Sequence, residues 1–91
     1  MKHKIYSVYD QKAEAYLPPF FLPAKGVAIR TFSEACNDPE HQFGKYPADY
    51  TLMELGTFDD STALIDPYSP AITIGTGVEF QETKPNPLKV V

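Results

Sequence analysis

The sequence holds one cysteine, Cys36, two histidines, His3 and His41, and no long apolar run. A lone thiol excludes an internal disulfide, and two isolated imidazoles offer no recognisable ligand set for zinc. No stretch approaches the roughly 20 apolar residues that cross a bilayer, and Met1-Lys2-His3-Lys4 leads into a strand-like segment rather than a signal-peptide core. The expectation is a cytoplasmic protein with no membrane partner. Gly75-Thr76-Gly77 lacks the third glycine and the strand-to-helix setting of a dinucleotide fingerprint, and no Gly-Lys-Ser/Thr serves a nucleoside triphosphate. Internal repeats are likewise absent.

What is present is a chain of 91 residues, 43% hydrophobic and 22% charged, which suits one small folded domain. A chain of this size buries a thin core, so association with a second copy is expected. Nine prolines are the compositional anomaly.

The net charge of −4 is unevenly spread. Residues 1–30 carry Lys2, Lys4, Lys12, Lys25 and Arg30 against Asp10 and Glu14, a balance of +3, and residues 83–91 add Lys84 and Lys89. Between them, residues 31–82 hold Lys45 against ten carboxylates, a balance of −9. Basic ends around an acidic middle can steer an anion to one side or bring copies together.

Lys4 to Tyr9 is rich in β-branched and aromatic residues and reads as a first strand, with Lys4, Tyr6 and Val8 on one face. Residues 17–23, Leu-Pro-Pro-Phe-Phe-Leu-Pro, read as an extended apolar connector. Ala28, Ile29, Phe32, Ala35 and Cys36 recur at three- and four-residue spacing and predict a helix over 24–36. Asp38 caps a short turn starting at Pro39, and Pro47 closes that region. Tyr50 to Phe58 and Ala63 to Tyr68 read as a hairpin about Asp59-Asp60-Ser61-Thr62. Residues 72–80 suggest a last strand interrupted by a glycine turn or bulge. The predicted class is α+β: a small antiparallel sheet of three to four strands with one main helix on one face, in a domain over 1–83, followed by a proline-containing tail at 84–91 that is mobile or docked on a partner.

No nucleophile with a base, acid pair or metal set emerges, so the expectation is a protein without enzymatic activity or cofactor. Asp59 and Asp60 offer hard oxygen ligands, yet no further acid follows at calcium-loop spacing, and turn formation accounts for them. Cys36 falls on the apolar helical stripe and reads as a structural thiol. A binding surface has more material. Lys2, Lys4 and Tyr6 share one face of an ideal strand, Lys12 follows, and Arg30 lies beside the apolar stripe, so these five are the candidate contacts to single-stranded nucleic acid. Packing of Tyr6 against the helix is the competing structural account. Phe20, Phe21, Tyr50 and Leu52 are the candidate dimer contacts, since both faces of the Tyr50 strand carry apolar groups. An alternative module touches only protein, through acids such as Glu54, Asp59 and Asp60 or through the Pro-Phe-Phe connector.

The stretch from Ile5 to Tyr16, then Pro19-Phe20-Phe21, Gly26 to Phe32, Asn37-Asp38-Pro39, Pro47 to Leu52 and Leu55 to Asp60, resembles the small nonstructural protein of gokushoviruses, which are single-stranded DNA phages of the Microviridae. The resemblance spans residues 4–60. It implies a phage early protein of the bacterial cytoplasm, outside the mature virion, that binds single-stranded DNA and assists the switch from duplex replication to single-stranded genomes. That role is similar to the one proposed for the C protein of the coliphage microviruses, and it makes the phage replication initiator a candidate partner. The resemblance supplies no set of binding residues.

Overall fold

A computed structural model describes residues 1–82. Strand β1, Lys2–Asp10, is followed by two short strands, β2 at Ala15–Tyr16 and β3 at Phe20–Leu22, and by helix α1 at Lys25–Cys36. A short helix α2, Gln42–Lys45, and a 3-10 turn at Pro47–Asp49 lead into β4, Tyr50–Asp59. Strand β5, Ile65–Thr76, and helix α3, Gly77–Phe80, complete the described fold. The class is α+β, as expected, with five strands in one antiparallel sheet. β1 and β4 lie at its centre, β5 flanks β4, and both β2 and β3 pair with the outer side of β1.

The connector differs from expectation. Phe20–Leu22 is extended, as the prolines require, yet it joins the ladder, setting Phe20 opposite Tyr6 and Phe21 opposite Ile5. The expected last strand is also revised. Ile72 to Thr76 continues β5, and residues 77–80 are helical because the Thr76 side chain and the Glu79 carboxylate form a reciprocal capping box. Between Pro67 and Ile72, β5 leaves the ladder and Leu55 marks the break in register. The turn expected at Pro39 is present, with Asp38 Oδ1 accepting from the Glu40 N–H at 2.9 Å and the Asp38 carbonyl from the His41 N–H at 3.0 Å; α2 then starts at Gln42, where His41 Nδ1 accepts from the Phe43 N–H at 3.0 Å.

Strand alternation decides what faces α1. Tyr6, Val8 and Leu52 from the sheet meet Ala28, Phe32 and Cys36 from the helix, and Phe20, Phe43, Tyr50 and Phe80 pack around them. Rings provide much of this core: Phe32 lies 5.4 Å from Phe43 and 5.7 Å, edge to face, from Phe80. Asn37 ties the helices together, its amide donating to the carbonyls of Ser33 and Phe80 while its oxygen accepts from the Glu82 N–H. The proposed tail at 84–91 lies outside the described residues.

Candidate binding surfaces

The five expected nucleic-acid contacts do not come together. Lys2 opens β1 and Lys12 stands beyond its other end, and the strand spans roughly 26 Å at about 3.3 Å per residue. Lys2 borders a hollow with Asp59 and Asp66. Lys12 lines another with Asp10 and Asp49, and Arg30 a third with Glu34 and Glu82. Lys4 Nζ lies 3.7 Å from Glu54 Oε2. Each cation therefore shares its surroundings with carboxylates, and no continuous positive face forms.

Tyr6 departs furthest from the expected placement. It is fully buried, with its ring 5.9 Å from that of Phe20, so in this fold it offers no face for a base. Burial, then the charges of Glu54 and Tyr68, pushes its hydroxyl up to about 12. The expected dimer contacts are also largely internal. Leu52 is fully buried, Phe20 packs on the core, and the Tyr50 ring lies 4.5 Å from Phe43. Phe21 alone of the four stands well exposed, at 47%. The acids separate as well: Glu54 is buried, whereas Asp59 ends β4 and Asp60 opens the turn that follows.

That turn is internally bonded. Asp59 accepts from the Ser61 hydroxyl and N–H, which hold its carboxyl below the ordinary range. Asp60 accepts from the N-terminal amine at 2.7 Å and lies 3.0 Å from His3 Nε2, and the first of these contacts is the larger cause of its lowered pKa. The same carboxylate raises the amine. Among the described residues no group of three or more His, Cys, Asp or Glu side chains is placed to hold a metal ion, and no helix is long and apolar enough to cross a membrane.

Sequence reasoning missed the most distinctive surface. Register sets His3 opposite Phe58 and Phe58 opposite Ile65, while Phe21 projects beside them on the sheet face away from α1. Phe21 meets Phe58 edge to face at 5.6 Å, and His3 lies 6.3 Å from Phe58. The four side chains line an open groove of about 440 Å³, with Phe21 and Ile65 strongly exposed. The register of β1 against β4 carries the signal, because only that long-range pairing brings residues 3 and 58 together.

The groove offers the rings of His3, Phe21 and Phe58 and the aliphatic carbon of Ile65, which is material for docking or stacking. No curated protein and no solved structure matches the chain. The family model described as Phage ORF5 protein matches residues 3–80, nearly the whole described fold, and the chain belongs to that phage family.

Proposed function

We propose that this phage protein is a non-enzymatic interaction module of genome replication that docks a partner protein in the groove of His3, Phe21, Phe58 and Ile65. The observation that carries this reading is an exposed apolar groove that ends at the acidic turn of Asp59 and Asp60, with Asp66 next to Ile65 in β5. Such a surface complements an apolar anchor flanked by lysine or arginine, the chemistry of proteins that themselves handle nucleic acid. The phage replication initiator implied by the gokushovirus resemblance is a partner of this kind.

One observation favours a second reading, direct binding of single-stranded DNA. Phe21 and Phe58 present rings on an open sheet face, and bases stack on such rings at about 1–3 kcal/mol each. The neighbouring carboxylates repel phosphate, so binding of this kind is weak and salt-sensitive. Fluorescence anisotropy with single-stranded and duplex oligonucleotides, at low and physiological salt, is run beside nuclease-treated co-purification from infected cells. The docking reading expects no DNA binding and a stoichiometric partner that Phe21→Ser loses with an unchanged circular dichroism spectrum. Salt-sensitive binding that favours the single strand, with no such partner, overturns it in favour of direct DNA contact.

A further inference from the structure

The sheet has one closed side and one open side. Along the outer side of β1, β3 pairs with Lys4 to Tyr6 and β2 with Tyr9 and Asp10. The gap between them is filled by Leu17, whose N–H donates to the Val8 carbonyl at 2.8 Å and whose carbonyl accepts from the Ser7 hydroxyl at 2.6 Å. On the opposite side β5 is bonded to β4, and among the described residues no strand lies beyond it.

Chains usually protect such an edge with charge, proline or irregularity. Pro67 and Pro70 do this where β5 leaves the ladder, and at the far end Gly75 is buried with the Phe80 ring of α3 close against it. Ala71–Ile74 has no such protection. It is Ala-Ile-Thr-Ile, with Ile72 46% exposed and Thr73 exposed. It also lies within residues 67–78, the longest run in the chain without a charged side chain.

We propose that Ala71–Ile74 pairs antiparallel with the same segment of a second copy about a two-fold axis, making a closed dimer with one continuous sheet. An antiparallel edge carries alternating donors and acceptors and is complementary to itself under that rotation. Charge selects the same place: two copies of net charge −4 repel over most of their surface, and the uncharged edge is where they approach at least cost. Assembly stops at two, because the β1 side is already covered. A four-residue pairing buries less than the roughly 1,200 Å² of a standard interface, so the dimer is weak, with a Kd on the order of tens of micromolar. The ring-lined groove lies on the sheet face rather than at this edge, so the inference stands independently of the proposed function.

Sedimentation equilibrium from about 1 to 500 µM, combined with hydrogen exchange of the amides at 71–74, tests it. The expected result is a monomer–dimer equilibrium with nothing larger, and amide protection that rises over the same concentrations. Ile72→Lys and Thr73→Lys are each expected to weaken association at least tenfold with an unchanged circular dichroism spectrum, whereas Thr62→Lys in the exposed turn leaves it unchanged. A monomer throughout, or a dimer indifferent to both edge lysines, overturns the proposal. So do larger assemblies, and so does protection independent of concentration, which would mean that the edge is filled within the same chain. Should either lysine variant misfold, the exchange profile of the native chain still decides the matter.

Discussion

Lys4 Nζ lies 3.7 Å from Glu54 Oε2, joining an ammonium whose side chain is 39% exposed to a carboxylate that is 3% exposed. Glu54 Oε1 has no hydrogen-bond partner among the described residues, and the groups that face the carboxylate are the Lys4 ammonium and the Tyr68 hydroxyl, whose pKa Glu54 raises. A buried charge stripped of its partner costs more than the pair itself contributes. Lys4→Met, which keeps the stem, is therefore expected to destabilise the fold by about 2 kcal/mol, below the full buried-pair cost because Lys4 is partly solvated. In a Glu54→Gln background the same change should cost well under half as much, since no charge is left to strand. Urea denaturation of the four proteins in this cycle decides it, and equal costs in both backgrounds would remove the pair from the account.

Tyr6 offers a test that separates a core ring from a stacking ring. Its hydroxyl is buried without a hydrogen-bond partner, so Tyr6→Phe removes a desolvated polar group and keeps the ring. The expected outcome is neutral to about 1 kcal/mol of added stability. Tyr6→Ala empties the contact with Phe20 and the helix and should cost about 3–5 kcal/mol. A thermal melt that shows Tyr6→Ala as stable as the native chain would place the ring outside the core.

The parts of the fold legible in the sequence are those with a local cause. The stripe through Ala28, Phe32 and Cys36 marks α1 because its spacing is the helical period, and Asp59 to Thr62 marks the hairpin because short polar side chains bond their own backbone there. The continuity of β5 was hidden by Pro67 and Pro70, which locally argue for a strand end and made Ile72 to Ile74 read as a separate strand, whereas the strand resumes because Ile72 and Thr73 find β4 again. The sequence does contain the signal for α3, a Thr76-to-Glu79 capping box, beneath the louder signal of two glycines. The candidate site was less legible for a geometric reason. Lys2, Lys4 and Lys12 are close in sequence but strung along an extended strand, and alternation gives Tyr6 to the core instead of the surface.

The contact between Asp60 and the N-terminal amine gives stability a dependence on pH at both limits. The Asp60 carboxyl is held below its ordinary value of 3.8, chiefly by the amine and then by His3, so its contribution is present above that value and is lost as pH falls through the lowered one. The amine is held above its ordinary value of 8.0 by Asp60, so its contribution is complete below 8.0 and is lost as pH rises through the raised value. The difference in Tm between the native chain and Asp60→Asn should therefore be greatest between those ordinary values and shrink on both sides. A difference that stays constant from strongly acidic to strongly alkaline buffer would show that the contact does not titrate with stability.

Ala63 closes the β4–β5 turn in the left-handed region, at φ 63°, while its N–H donates to the Asp59 carbonyl at 2.7 Å. A side chain with a Cβ pays about 1–2 kcal/mol to sit there, and glycine does not. Part of that gain is returned because glycine has more freedom to lose on folding. Ala63→Gly is therefore expected to stabilise by about 1 kcal/mol, a rise in Tm of roughly 4–8 °C for a domain of this size. Ala13→Gly is the control, because Ala13 lies in the exposed turn after β1 and has no positive φ to relieve. It should leave Tm unchanged or lower it. A gain at both positions would point to an effect of glycine on the unfolded chain, and a loss at Ala63 would mean that the turn holds its left-handed geometry without strain.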